Sequence, residues 1–481
     1  MLTMLGSPRR CCDGFTRRET LRAGGLAMMA GMNLPRLLAA EEAQISAASA
    51  PRPGKAKSVI VLYLLGGAPT QDMFDLKPAA PADVRGEFQP IATSAAGVQI
   101  SEHLPLSARW MHRAAIVRSV NHQAGCHNPL PSYTGYEAML DNIVTTKESY
   151  PPSMGSVCEY LNDGASGLPA YVYMPCYLGW GQSIVRPGPY AGMLGKRFDP
   201  MFTECNPYVD SPPDVPYHSQ PLRGQPRLPH SDLPEAITID RLDERRSLVD
   251  QIDRRLRQLD TQQTVASFDR HRRRAFDILT SSPVKAVFDL GAEDPRLRDR
   301  YGRTLFGQSA LVARKLVETG VRFVNVTWDC YWERLKLQLE CWDLHERNCA
   351  VLKEYNLPSF DQTFSALMED LDSRGLLDET LVVVMSDMGR TPKINARAGR
   401  DHWTFCYSVV LAGAGIRGGT VYGASDKQAA FVKEDPVSTG DICATIYQCL
   451  GIDPAMTLPD QVNRPIPIAH GGQPIYEILT T

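Results

Sequence analysis

Residues 381–403 read LVVVMSDMGRTPKINARAGRDHW, and the rest of the chain can be placed from this stretch. Val382-Val383-Val384 is a β-branched run without polar alternation, the pattern of a short strand buried on both faces. It ends in Ser386-Asp387-Met388-Gly389, where a parallel strand would pass into a loop, and open α/β sheets place their chemistry at such strand ends. Fourteen positions past Asp387, Asp401-His402 precedes Trp403, so a carboxylate and an imidazole can return to the same sheet edge. Together these groups suit a divalent cation. The plainer alternative is that Asp387 caps a turn and His402 is hydrogen-bonded within a core.

Upstream, Val59 to Leu65 is a nearly continuous apolar run, typical of a central parallel strand. It breaks at Gly66-Gly67-Ala68-Pro69, and Asp72 and Asp75 follow, placed where a first metal-binding acid belongs or where an acid merely caps a turn. Ala114-Ala115-Ile116-Val117 reads as a second strand leading to His122, Cys126, His127 and Asn128 in one loop. Ser132 to Ala138 would open a helix whose amino-terminal NH groups favour an anion. Two readings of the loop stand side by side: Cys126 as a nucleophile activated by His122 or His127, or imidazoles that bind and orient a substrate.

Further on, Gln308 to Thr319 has helical spacing and stops at Gly320, and Val321 to Thr327 reads as a strand. Trp342-Asp343-Leu344-His345 sets an acid and a histidine two apart, able to share an ion from an extended loop. A helix is expected near Ser359, with a Ser359–Gln362 capping box and a stripe of Phe360, Phe364, Leu367 and Leu371. Val409 to Gly413 reads as a neighbouring strand, and Ile442, Ile446 and Leu450 as a final helix. This alternation predicts one doubly wound α/β domain over residues 58–481. Tyr150 to Pro229 is irregular, as lids and binding loops are, and Trp180, Tyr190 and Phe198 are candidates to line a pocket there. Leu248, Ile252, Leu256 and Leu259 mark an amphipathic helix with a solvated charged face.

Composition bounds these readings. With 481 residues and 43% hydrophobic positions the chain can bury a large core, and a net charge of −3 disfavours a partner such as nucleic acid. Twelve cysteines show no zinc-ribbon ladder, and no pairing can be assigned to them. Residues 1–40 contain Arg17-Arg18, a modest apolar run and Leu37-Leu38-Ala39-Ala40, which together resemble a twin-arginine signal peptide read by the twin-arginine export machinery. The apolar run is interrupted by Asn33, Pro35 and Arg36, so no stable membrane span is expected. Residues 41–57 then read as a linker.

The ordered segments Gly66 to Pro78, Trp342 to His345, Asp387 to Pro392 and Gly399 to Trp403 resemble a widespread exported family, domain of unknown function fifteen-zero-one. That family is regarded as a sulfatase-like branch of the alkaline phosphatase superfamily. The resemblance covers about residues 17–480 and implies an alkaline-phosphatase-like, three-layer α/β fold with a central, mostly parallel sheet. It implies metal ligation by Asp343, His345, Asp387 and His402, with Asp72 or Asp75 as the first-strand acid. Met388 stands where sulfatases have a histidine, and their Cys-x-Pro-Ser-Arg nucleophile motif is absent.

The expectation is therefore an exported, periplasmic or cell-surface hydrolase of sulfate or phosphate esters, acting on an anionic ester or polysaccharide. It would use zinc, calcium or manganese, with Arg390 and Arg400 holding the ester oxygens and His127 beside the reacting centre. The rival is a non-catalytic exported protein that keeps the fold to bind a glycan or a protein.

Overall fold

A computed structural model describes residues 55–162, 168–210, 222–229, 282–337 and 341–480. The signal at residues 1–40, most of the linker and the amphipathic stripe of Leu248 to Leu259 lie outside the described residues. The strands of the central sheet are β1 (Ser58–Leu64), β2 (Ala114–Asn121), β3 (Tyr171–Met174), β4 (Met201–Phe202), β5 (Phe323–Trp328), β6 (Thr380–Met385), β7 (Tyr407–Gly413), β8 (Thr420–Tyr422) and β9 (Val437–Ser438). Their order is β8-β2-β7-β6-β1-β5-β3-β4, with β9 also paired to β2. Strand β7 runs antiparallel to both its neighbours, and every other pair in this sheet is parallel.

The apolar runs explain this arrangement. All seven residues of β1 are buried. Ile60, Leu62 and Leu64 face one apolar layer, and Val59, Val61 and Tyr63 face the other. Helices α3 (Leu305–Glu318) and α4 (Leu357–Ser373) cover the first face through Leu311, Leu316, Phe360, Phe364 and Leu367. Helices α2 (Met154–Leu161) and α5 (Thr439–Cys449) cover the second through Val157, Ile442 and Ile446. Each large apolar side chain buried this way contributes about 1.5–3 kcal/mol. The result is a three-layer α/β fold with a mostly parallel central sheet.

Three local expectations differ from the structure. The helix expected at Gln308 begins at Leu305, because Thr304 caps it by accepting from the Gly307 N–H at 3.0 Å. No capping box forms at Ser359: the chain enters α4 from a π turn, Leu352–Asn356, with helical backbone throughout, and Gln362 donates to the Asp299 carbonyl instead. The box occurs at Ser438 and Asp441, ahead of α5. Finally, α1 (Leu130–Thr134) has only five residues and ends at Gly135 in the left-handed region, so the helix expected over Ser132 to Ala138 is too short to offer an anion site. Among the described residues no helix is long and apolar enough to cross a membrane, and Cys126 and the nine cysteines after it are free thiols.

Just past β5, the Asp329 carboxylate accepts from the Gly181 N–H at 2.9 Å and the Cys330 N–H at 2.8 Å. Burial pushes its pKa up to about 6 despite these bonds. Unfolded, an aspartate titrates near about 3.9, so the folded chain holds the extra proton between the two values. The stabilising contribution is thus complete below about pH 4 and is lost as pH rises through about 6, a change on the order of 3 kcal/mol. Denaturant unfolding at several pH values is expected to give a shallower pH slope across this window for Asp329→Asn than for the unaltered chain.

Candidate metal centre

The rim of the sheet is held together where β6 and β1 end. Ser386 Oγ accepts from the Gly67 and Ala68 N–H groups, each at 3.1 Å, and Asp387 Oδ1 accepts from the Gly66 N–H at 2.8 Å. Gly66 has φ +108°, and a Cβ there would lie 2.8 Å from the Asp343 nitrogen, so only glycine lets the turn press against the Asp343 segment. Met388 is fully buried against the same turn. It takes no part in the polar cluster above it.

Four side chains converge on this rim. His127 comes from the loop after β2, Asp343 and His345 from the segment after β5, and His402 from a two-residue ribbon in which it pairs with Arg390. One potential ligand atom from each lies within 4.8 Å of the others. His345 Nε2 and His402 Nε2 are 2.8 Å apart, and each is 3.1 Å from Asp343 Oδ1. His127 Nε2 lies 3.2 Å from Asp343 Oδ2. Its Nδ1 faces Asp387 Oδ2 at 3.5 Å, and both of those buried atoms lack a hydrogen-bond partner.

The electrostatics centre on Asp343. Burial opposes its ionisation, but hydrogen bonds from His127, His345 and His402 and the charge of Arg390 hold the carboxyl well below the ordinary range. Asp387 is likewise lowered: complete burial opposes ionisation, and His127 with the Gly66 N–H outweighs it. His345 is raised by Asp343 and Asp401, whereas burial lowers His402. Asp401 Oδ1 receives His345 Nδ1–H at 2.7 Å, the outer carboxylate that commonly orients a metal-binding histidine. Asn395 donates to Asp401 and to the His345 carbonyl.

These residues fit a divalent ion. Three imidazole nitrogens and a carboxylate are a borderline-soft donor set, suited to zinc or manganese better than to calcium, which takes oxygen ligands. Two ring nitrogens facing each other at 2.8 Å on one carboxylate oxygen already converge as ligands do.

The structure does not bring all the expected residues to this place. Asp72 is locked to Arg400, whose Nε and a terminal nitrogen donate at 2.8 and 2.7 Å, with both side chains at most 1% exposed. Asp75 is held by Ser425, by Lys77 at 2.9 Å and by Arg118 at 3.6 Å. Neither acid belongs to the cluster, because each is neutralised by a partner of its own. The expectation that Arg390 and Arg400 hold ester oxygens is likewise corrected. Arg390 is buried and donates to Asp343 and to the Gly66, Gly67 and Arg400 carbonyls, while Arg400 also caps the Val84 and Thr391 carbonyls. Partial burial and the nearby Asp387 carboxylate raise the Cys126 thiol, which disfavours a nucleophilic thiolate. His122 instead fixes the loop, donating from Nε2 to the Asp387 carbonyl at 2.9 Å and accepting the Ala124 N–H at Nδ1. Of the aromatic candidates, Trp180 lies under the Arg334 guanidinium, and Tyr190 and Phe198 pack at a tilt against Phe202 and Tyr160.

Asp401, read from the sequence with His402 as a cation-binding carboxylate, stands behind His345 instead, and Arg186 was not among the expected site residues. Arg186, which donates to the His127 carbonyl at 3.0 Å and to Gln182, lies in the irregular stretch where no periodicity marks it.

Fold and rim together define an α/β protein with a histidine–carboxylate centre at the carboxyl edge of its sheet. The chain belongs to the family described as protein of unknown function (DUF1501), whose profile matches residues 56–479. No curated protein matches it. In structure it is distantly similar to the PsFucS1 sulfatase from Pseudoalteromonas sp., at 13% identity and a TM-score of 0.35 over 87% of this chain and 71% of that one. It is also similar to the phosphonate monoester hydrolase SpPMH from Silicibacter pomeroyi, at 12% identity and a TM-score of 0.37 over 88% and 76%. A third likeness is to the lipoteichoic acid synthase LtaP from Listeria monocytogenes, at 10% identity and a TM-score of 0.34 over 88% and 77%.

Removing Asp72 leaves Arg400 buried without its counter-charge, a loss of about 3–5 kcal/mol for such pairs. Asp72→Ala is therefore expected to lower the denaturant midpoint sharply while the folded fraction keeps the metal content of the unaltered chain, as checked by elemental analysis of the monodisperse protein.

Proposed function

We propose that this chain is an exported, metal-dependent hydrolase of sulfate or phosphate esters, including esters carried on a polysaccharide. The observation that carries the reading is the convergence of His127, Asp343, His345 and His402. Asp387 stands behind the His127 ring, its unpartnered buried oxygen facing Nδ1. A divalent ion held there supplies Lewis acidity toward an ester oxygen and toward water.

The chain's own residues have distinct tasks. Asp343, its two oxygens facing three imidazoles, would hold the ion together with them, and Arg390 balances its charge from beneath. Asp401 orients the His345 ring. Arg186, itself buried and bonded to Gln182 and the His127 carbonyl, makes no ion pair with any described residue, and we assign its guanidinium to the anionic ester. Residues 1–40 would direct export. The commitment of Arg390 and Arg400 to internal partners favours the second reading, an exported glycan-binding protein that retains the centre without turnover.

The purified chain is expected to carry zinc or manganese in stoichiometric amount and to hydrolyse a generic aryl sulfate or phosphate. Asp343→Asn and His402→Ala are expected to abolish both metal retention and turnover, and Asp401→Asn to weaken metal affinity roughly 10–100-fold. A folded protein that stays metal-free after incubation with these ions would sink the proposal. A metal-loaded protein that retains glycan without turning over any ester would favour the second reading.

A further inference from the structure

Away from the metal centre, two strands leave the sheet side by side and each carries a cysteine just past its end. Strands β3 and β4 are parallel, with Val172 opposite Met201 and Tyr173 opposite Phe202. The pairing continues beyond them: the Thr203 N–H donates to the Tyr173 carbonyl at 3.1 Å, and Thr203 Oγ1 to the Pro175 carbonyl at 2.7 Å. Cys176 follows Pro175 directly, and Cys205 lies two residues past Thr203 in a short ribbon where it pairs with Pro226, so the two cysteines flank the Thr203–Pro175 contact. Burial raises the Cys176 thiol, and Cys205 is near enough to raise it further.

We propose that Cys176 and Cys205 are a disulfide-forming pair that fastens the exit of β3 to the chain following β4. Cys205 is half-buried and Cys176 is 6% exposed, so an incoming oxidant meets Cys205 first. With oxidised glutathione as the oxidant, the Cys205 thiolate attacks one glutathione sulfur, forming a mixed disulfide and releasing one glutathione thiolate. Cys176, whose thiol burial and Cys205 hold well above the ordinary range, then loses its proton and attacks the Cys205 sulfur, releasing the second in the slower of the two steps. The pair gives up two protons and two electrons, and oxidised glutathione becomes two thiols. Cys330 and Cys341 provide an internal contrast. Burial and the nearby Cys341 likewise raise the Cys330 thiol, which donates to the Leu65 carbonyl, but at 1% and 0% exposure no oxidant reaches either in the folded chain.

The test is thiol mapping of the full chain after incubation with oxidised glutathione, alkylation and non-reducing digestion. The expected result is a cross-linked Cys176–Cys205 peptide lacking two hydrogens, with Cys330 and Cys341 alkylated as free thiols on denaturation. In Cys176→Ser the glutathione is expected to remain on Cys205, since no second thiol displaces it. Recovery of Cys176 and Cys205 as free thiols after oxidation, or glutathione persisting on Cys205 of the unaltered chain, would overturn the proposal without touching the metal reading.

Discussion

The rim of this protein depends on one largely buried carboxylate, Asp343. An uncompensated charge in that position costs several kcal/mol, and here it is compensated from several sides. Arg390 meets it from below, and His127, His345 and His402 meet it from three separate chain segments. Each partner is tied in turn. Arg390 holds the Gly66 and Gly67 carbonyls, the Gly66 N–H binds Asp387, and Asp387 faces His127. Loss of any member leaves another charge or polar atom unsatisfied, which is why the cluster is a unit rather than a set of independent ligands.

A second buried pair has another task. Arg400 and Asp72 lie outside the cluster, yet Arg400 also caps the Thr391 and Val84 carbonyls and so fixes the loop running from Arg390 to His402. Gly399 contributes by allowing that loop to touch the backbone of His345, since a Cβ there would sit 1.9 Å from the His345 carbonyl carbon. Positioning of the ligands is thus distributed over residues that touch none of the ligand atoms.

How much of this could be read from the sequence follows from the range of the forces involved. Strands β1 and β6 were legible because burial on both faces requires continuous apolar runs. Asp387 was legible because it stands at the exit of β6 beside a recognisable turn, and Asp343, His345 and His402 because an acid and a histidine stand one or two positions apart in each segment. The pairing of Asp72 with Arg400 was not: the partners are separated by 328 positions, and a local pattern cannot say which acid a distant arginine will neutralise. The same applies to Arg390, whose terminal nitrogens were open on paper and are occupied in the folded chain. The start of α4 was misplaced for a different reason, since a π turn supplies helical backbone ahead of Leu357 and removes the need for a cap.

The reversal of β7 has a consequence for how such a protein can diversify. In a wholly parallel sheet, every visit of the chain to the rim is followed by a crossover back to the opposite edge. Here the chain leaves β6 and enters β7 on the same edge, so residues 386–406 begin and end beside the ligands with no helix between. Segments anchored at both ends on one edge accept insertions at a small entropic cost, growing only with the logarithm of their length. The stretch between Thr391 and Ala398 is accordingly the place where the wall of the centre can lengthen at least cost, provided Asn395 keeps its bonds to Asp401 and the His345 carbonyl.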